Sequence, residues 1–409
     1  MSSPAELDRR FAAAHARLRT AAVTGTNGKT TTTSMIAAIV AAAGEVAARL
    51  TTLGAWVGDR QIEAASPPEE FLATVEAAVA AGVRTLALET TSKALAGGHA
   101  RHWPPTVAVF TNLTRDHLDY HGSPEAYLAA KAQLFLHLVP DGTAVLNADD
   151  PSADLIEAAM GARTQPAVVR RYSVGAATGE LALAARAVHP TLDGTVVELA
   201  PSPLGTALGG ELRLRAVGEV HAANALGAAL AADALGYPAA AIVAGLAGFT
   251  GVAGRFEVVA RRPDVVVDYA HTPDGLDGTL RTARRLVRPG GRVVCVFGCG
   301  GGRDRGKRPQ MGAIADELAD VVVLTSDNPR HEAPDAIAAA VSAGVPSPRA
   351  RWTVELDRGR AIARAIAEAG PDDLVIVAGK GHERVQEVAG RELPFDDVEV
   401  SRRAAAARR

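Results

Sequence analysis

The chain has 409 residues, 48% of them hydrophobic, which is more than one ordinary core holds, so two or three domains are expected. A formal net charge of −3 provides no basic field to hold nucleic acid or an anionic membrane. Two cysteines, Cys295 and Cys299, build neither a disulfide framework nor a four-ligand zinc site, and fit reduced thiols in a cytoplasmic protein.

Residues 1–18 read as a short amphipathic lead-in with no apolar segment after it, so no secretory signal is expected. Ala21-Ala22-Val23 then reads as a strand and Gly25-Thr26-Asn27-Gly28 as a turn. Lys29-Thr30-Thr31 leads into an Ala-rich helix ending near Ala43. Glycines let backbone approach an anion closely, and a helix N-terminus offers free N–H groups and the positive dipole end. In this reading Lys29 sits on the β/γ-phosphates of a nucleotide and the Thr30 hydroxyl binds Mg²⁺. The spacing is a compressed phosphate loop, with Val23 where the longer form has its first glycine. The apolar stretch after Thr33 is broken by Gly44 and Glu45, too short to span a bilayer.

Leu50 to Gly54 reads as a second short strand and turn, and Ser66-Pro67-Pro68-Glu69 as a capped helix start running to Gly82. Thr85 to Leu88 is a buried-type strand with Glu89 at its carboxyl end, where ligands bind in parallel α/β sheets; that makes Glu89 a candidate Mg²⁺ partner. The strand Val107–Phe110 is followed by Thr111 to Gly122, a loop dense in His and Asp that includes Asn112, Asp116 and His117. Ser123-Pro124-Glu125 opens a helix carrying Lys131, by composition an ordinary solvated lysine. Residues 141–200 read as short strands and turns, and 218–235 as a helix with His221 and Asn224 on one face.

Glycines at 248, 251 and 254 mark a boundary, giving domains 1–252 and 253–409. In the second, four strands end in polar loops: Asp268-Tyr269-Ala270-His271, the basic and flexible Gly298–Pro309, Asp327-Asn328-Pro329-Arg330, and Gly379-Lys380-Gly381-His382-Glu383. Loops on one edge of a parallel sheet share a cleft, and its guanidinium forks suit carboxylate or phosphate. The tail Arg402–Arg409 reads as a frayed end.

Seven of these stretches, in this order, resemble the Mur ligases, most closely the branch that adds the third peptide residue: Thr24–Thr31, Asn112–Gly122, Gly254-Arg255-Phe256-Glu257, Asp268–Pro273, the loop to Pro309, Asp327–Arg330 and Gly379–Glu383. The resemblance covers nearly the whole chain. It implies an α/β fold, with a central P-loop ATPase-like domain followed by a smaller Rossmann-like C-terminal domain. It also implies an ADP-forming ligase that activates a carboxylate as an acyl phosphate and couples it to an amine. By the same resemblance, Gly25 to Thr31, Asn224, Arg255 and Asp268 bind ATP. Thr30, Glu89, His117 and a carbamoylated Lys131 hold one or two Mg²⁺ ions, with Lys29, His117 and Lys131 catalytic. Arg303, Asp327, Asn328, Arg330, Gly379 and Glu383 receive the incoming amino acid. The Asp-Asn-Pro-Arg form implies meso-diaminopimelate, with Arg330 on its distal carboxylate.

The departures lie on the acceptor side. Only about twenty residues precede the phosphate loop, where the family has a uridine-nucleotide domain. Ser66-Pro67-Pro68 stands for Thr-Thr-Pro, and Thr90-Thr91-Ser92-Lys93 for Val-Ser-Ser-His. A non-nucleotide acceptor, or a non-catalytic ATP-binding scaffold, are the alternative readings. The partners expected are small molecules, namely ATP, an amino acid and a carboxylate acceptor, and the chain is expected to act as a monomer. A dinucleotide oxidoreductase is disfavoured, because no Gly-x-Gly-x-x-Gly opens a helix after a strand.

Overall fold

The computed structural model describes residues 4–64, 67–175, 177 and 179–408. They form two compact units. The first comprises the chain up to Thr114, Ser123–His189 and Asp193–Thr250; the second comprises Arg115–Gly122, Pro190–Leu192 and the chain from Gly251.

The first unit begins with α1 (Pro4–His15), β1 (Arg19–Thr24) and α2 (Lys29–Ala42). A hairpin region follows, β2 (Ala48–Thr51), β3 (Gly54–Val57) and β4 (Arg60–Ile62), where a single strand is expected from sequence. Next come α3 (Pro67–Ala80), β5 (Thr85–Glu89), α4 (Ser92–Ala96), α5 (His99–His102) and β6 (Val107–Phe110). The cap read at Ser66 lies outside the described residues. The short α6 (Leu118–His121) belongs to the second unit. The first resumes with α7 (Pro124–Leu136), β7 (Thr143–Asn147), α8 (Ser152–Met160), β8 (Val168–Ser173), β9 (Leu183–Thr191), β10 (Gly194–Leu199), α9 (Pro203–Ala207), β11 (Glu211–Leu214), α10 (Glu219–Ala234) and α11 (Ala239–Gly248). The helix α8 corrects the reading of 141–200 as strands and turns only. Its Ala-rich sequence hides the periodicity, but Ala153, Ile156 and Met160 are buried in the core.

One sheet runs β11-β10-β9-β8-β7-β6-β1-β5-β2-β3-β4. The strand β1 lies between β5 and β6 and is parallel to both. The chain leaves it toward β2 on one side and later returns to β6 on the other, so a crevice opens at the carboxyl end of β1. Residues alternate faces. Ala22, Leu86, Leu88, Ala108, Phe110 and Leu146 enter a core with apolar side chains of α3, α7 and α8. The apolar helix α2 packs against α10 and α11.

The second unit contains β12 (Glu257–Ala260), β13 (Asp264–Asp268), α12 (Pro273–Leu286), β14 (Val293–Phe297), α13 (Lys307–Leu318), β15 (Val321–Leu324), α14 (Pro334–Ser342), β16 (Arg351–Val354), α15 (Arg358–Glu368), β17 (Leu374–Ala378), β18 (Val385–Val388), β19 (Arg391–Pro394) and α16 (Asp397–Ala407). Its sheet order is β12-β13-β17-β14-β15-β16, parallel except at β12, with β18 and β19 forming a separate hairpin. Val265, Val267, Val294, Val296 and Val377 pack under α15 and α16.

Two sequence expectations are corrected here. The tail is no frayed end: α16 places Val398, Val400, Ala404 and Ala405 against this core, Arg402 pairs with Glu257 at 2.9 Å, and Arg408 donates to Ile366 O. Nor is the whole of Gly298–Pro309 a flexible loop, since α13 begins at Lys307 and both Lys307 and Arg308 are buried. Acceptors on neighbouring segments make that burial tolerable: Lys307 Nζ donates to His271 O (2.7 Å) and Arg308 pairs with Glu332. Cys295 and Cys299 are free, and burial pushes each thiol up to about 12. Among the described residues no helix is long and apolar enough to cross a membrane.

Candidate functional site

In the first unit the turn after β1 is braced by the end of β6. Thr26 N donates to Asn112 O (2.8 Å), Asn27 N to Asn112 Oδ1 (2.9 Å), and Thr111 Oγ1 to Asn27 O (2.6 Å). Gly28, at φ 86°, caps α2; a Cβ there would lie 2.3 Å from Asn224 Oδ1. Glycine is therefore required by both conformation and space. Asn224 is buried on α10. Its Oδ1 accepts from Thr32 Oγ1 at 3.2 Å, and its Nδ2 has no hydrogen-bond partner among the described residues, as fits a group awaiting a polar ligand.

Lys29 Nζ folds over the turn onto Gly25 O (3.0 Å) and Thr26 O (2.8 Å). Thr30 Oγ1 donates to Glu89 Oε2 at 2.9 Å, as the shared sheet edge requires, since Val23 and Glu89 are in register. Glu89 is buried and also accepts from Thr52 N (3.1 Å) and Thr52 Oγ1. Thr52 had no role in the sequence reading; its position just after a short strand at this edge is the signal that could have found it. Among the described residues no three His, Cys, Asp or Glu side chains gather as a metal site. A Thr–Glu pair suits Mg²⁺, which takes few protein ligands and completes its shell with phosphate oxygens and water.

Lys131 is not a solvated lysine. It is 1% exposed, lies over the Tyr127 ring at 4.4 Å and donates to Gly25 O at 2.6 Å. Thus within one unit Lys29 and Lys131 share the Gly25 carbonyl, and Thr30, next along the chain, pairs with Glu89. His117 lies on the segment grouped with the second unit, at φ 53° at the head of α6, with Nε2 3.6 Å from Asp116 Oδ2. Asp116 in turn lies 3.9 Å from His271 Nε2. Burial and Lys307 push the His271 imidazole below its ordinary range.

In the second unit Asp268 ends β13 and ties its own loop, accepting from Phe256 N (2.7 Å), Ala270 N and Thr279 Oγ1. The Arg255 guanidinium stacks over Tyr269 at 4.2 Å, with Nε buried and without a hydrogen-bond partner among the described residues. A Cβ on Gly254 would lie 2.1 Å from Gly381 C, so these loops meet backbone to backbone. The amino-acid residues expected from sequence converge in part. Asn328 Nδ2 donates to Glu383 Oε2 (2.8 Å), and a Cβ on Gly379 would lie 2.6 Å from Asp327 Oδ2. Arg330 sits nearby, paired with Glu387 at 2.9 Å and donating to Gly301 O at 2.8 Å, whereas Arg303 is exposed on the glycine-rich loop.

Lys380, given no role by sequence, is fully buried at the centre of this network. Its Nζ donates to Asn328 Oδ1 (2.9 Å), Glu383 Oε2 (2.8 Å) and Val385 O (2.7 Å). Glu332 organises the glycine-rich loop, accepting from Arg308 and from Gly302 N, and these hydrogen bonds hold its carboxyl down at about 2 against an ordinary 4.5. A carboxyl held low in the folded state stabilises the fold above the unfolded value, and that contribution disappears as pH falls to the folded one. Glu332→Gln is therefore expected to lower the melting temperature at pH 7, with the difference shrinking between pH 4.5 and about 2. A difference unchanged across that window in thermal melts would refute this.

Residues 23–232 match the Mur ligase middle domain and residues 254–381 the Mur ligase, glutamate ligase domain. The UDP-N-acetylmuramoyl-L-alanyl-D-glutamate--2,6-diaminopimelate ligase of Thermosynechococcus vestitus is 44% identical over 392 residues, covering 93% of this chain and 76% of that protein. The ligase of the same name from Gloeobacter violaceus is 43% identical, covering 96% and 78%. A solved structure of a ligase of that name aligns with a TM-score of 0.65 and 34% identity, over 95% of this chain and 78% of the other. Folylpolyglutamate synthase of Mycobacterium tuberculosis shares the fold, with a TM-score of 0.72 at 22% identity over 91% of each chain.

Proposed function

The chain belongs to the Mur ligase family of ATP-dependent, amide-forming ligases, and from that premise we propose that it joins meso-diaminopimelate to a glutamate carboxylate of a muramoyl-peptide or a related acceptor in the making of cell-wall peptide. The carrying observation is that Lys29 and Lys131 both donate to Gly25 O while Thr30 pairs with Glu89, all at the glycine turn that caps α2.

In this reading the acceptor carboxylate attacks the γ-phosphorus of ATP and ADP leaves. The amine of the incoming amino acid then attacks the acyl carbon, inorganic phosphate leaves, and the amine gives up a proton as the amide forms. Lys29 and the N–H groups at the start of α2 meet the phosphate charge, which is the main demand of phosphoryl transfer. Thr30 and Glu89 would hold Mg²⁺, which supplies further charge neutralisation when bound. Lys131 is proposed to carry a carbamate whose carboxylate would be a metal ligand while its nitrogen would keep one N–H for Gly25 O, and His117 is likewise assigned to metal. Asn224 is assigned to the adenine, Arg255 and Asp268 to the phosphate tail and ribose. Asp327, Asn328, Gly379, Glu383 and Arg303 are assigned to the amino acid, and Arg330 to its distal carboxylate, for which a guanidinium fork is suited and which lysine lacks.

The test is phosphate release from ATP and Mg²⁺ with UDP-muramoyl-alanyl-glutamate and with its nucleotide-free counterpart, each against diaminopimelate and lysine. Release with diaminopimelate and not with lysine is expected; release with neither on any acceptor overturns the reading. Lys131→Ala is expected to lose about 10²-fold in turnover, with partial rescue by an added short carboxylic acid. Full activity in the variant would remove the carbamate from the account.

A further inference from the structure

The loop Asp327–Arg330 is held along its length by β18, a strand outside every stretch singled out by sequence. Gln386 Nε2 donates to Asp327 O (2.7 Å) and Glu387 N to Asn328 Oδ1 (3.0 Å). Arg330 N donates to Glu387 O (3.0 Å), and Ala389 N to Arg330 O (2.6 Å). Arg330 needs this grip. Its φ of 54° lies in the left-handed region, which a long side chain rarely adopts, and such a conformation lasts only where the surroundings fix it. The backbone thus aims one guanidinium, and the group it meets is a carboxylate. Glu387 Oε2 lies 2.9 Å from Arg330 Nε, while Arg330 Nη1 donates to Gly301 O at 2.8 Å.

The hairpin itself gives no reason for an acid at 387. Glu387 stands directly opposite Glu392 in the β18–β19 ladder, and like charges so placed weaken a hairpin. Nor is the pair with Arg330 buried: the Glu387 side chain is 36% exposed and that of Arg330 22%. An ion pair that open to solvent adds little stability. It does leave both groups within reach of a ligand. A guanidinium has five donor positions and a carboxylate several acceptor sites, and the contacts above use few of either. Arg330 alone would welcome any distal carboxylate. With Glu387 beside it, a second carboxylate is repelled and a cation is attracted.

We propose that Glu387 is a specificity-determining residue of the ligase read above. With Arg330 it matches an ammonium and a carboxylate borne on one carbon at the far end of the incoming amino acid, the carboxylate on the guanidinium fork and the ammonium on Glu387. It thereby selects against amino acids that end in a carboxylate alone. This rests on the reading that these loops receive diaminopimelate.

The probes are meso-diaminopimelate and 2-aminopimelate, which keeps the reacting amino-acid end and the distal carboxylate but has hydrogen in place of the distal ammonium. Each is titrated in the phosphate-release assay at saturating ATP, Mg²⁺ and acceptor. The parent protein is expected to favour diaminopimelate in kcat/KM. Glu387→Gln, nearly the same shape without the charge, should cut that preference about tenfold, the order of one hydrogen bond to a charged group. The loss should fall on the KM for diaminopimelate, with kcat and the KM for ATP unchanged. Glu387→Lys should cut the preference further. A purely structural role for Glu387 would raise the KM for both amino acids alike. That result, an unchanged preference in both variants, or a parent protein that uses the two amino acids equally overturns the proposal and leaves the ligase reading standing. No release from the parent protein with either amino acid, on UDP-muramoyl-alanyl-glutamate or its nucleotide-free counterpart, overturns the ligase reading and the proposal with it.

Discussion

Replacing Lys29 with methionine is expected to cut acceptor-dependent phosphate release by about 10³-fold while leaving the melting temperature close to that of the parent protein. The ammonium is placed by two carbonyls of its own turn, Gly25 O and Thr26 O, so it is held over the loop where phosphate oxygens are expected. Methionine keeps the apolar stem and removes the charge. Because the turn is braced independently by Asn112 and Thr111, its shape does not rest on Lys29. Loss of rate with an intact fold is the signature of removed charge stabilisation. A fall of less than about tenfold in an otherwise normal protein would remove Lys29 from the chemistry, since a single misplaced donor already costs more.

The second large effect concerns stability. Asp397→Ala is expected to destabilise the second unit by about 3–5 kcal/mol, the cost of leaving a buried charge without its partner. Arg358 and Asp397 have fully buried side chains, joined by two hydrogen bonds of 2.8 and 2.6 Å. Burial works against the charged guanidinium, yet Asp397 outweighs it and Arg358 stays above its ordinary range. The same guanidinium donates to Ala378 O (3.0 Å) and Ser326 O (3.3 Å). These carbonyls stand just before Gly379–Glu383 and Asp327–Arg330, so the pair ties both loops, proposed to receive the amino acid, to α15 and α16. Asp397→Asn should therefore raise the KM for the amino acid more than that for ATP. Pairing Arg358→Met with Asp397→Leu should recover stability lost in either single variant, because two apolar groups leave no charge exposed to the core. A double variant as unstable as the sum of the singles would refute the assigned cause.

Much of the candidate site's geometry was legible because its patterns are local. The turn Gly25–Gly28 before Lys29 and Thr30, and Glu89 at a strand end, are short patterns whose placement follows from backbone geometry. Lys380 and Thr52 were not legible in that way. Lysine in a Gly-Lys-Gly loop and threonine in a turn are by composition solvent-facing, and only long-range neighbours, Asn328 with Glu383 for one and Glu89 for the other, draw them in. Lys131 was singled out by resemblance alone; its burial against Gly25 depends on α7 crossing the carboxyl end of β1, which no helical period states. The helix α8 and the tail helix α16 were missed for another reason. Alanine fits either face of a helix, so in an Ala-rich chain the amphipathic period weakens just where it is needed.

From the amino-acid order alone came the alternation of strands and helices, the glycine turn before α2, and the polar strand ends, because each is dictated within a few residues by φ, ψ, capping and apolar period. The tertiary structure alone decided which charges go inside, as with Arg358 on Asp397 and Lys380 on Glu383, and where a cavity opens among α1, α3, α4 and α5. Burying a charge or leaving a void depends on partners contributed from distant parts of the chain, and their energies exist only once the sheets have brought those parts together.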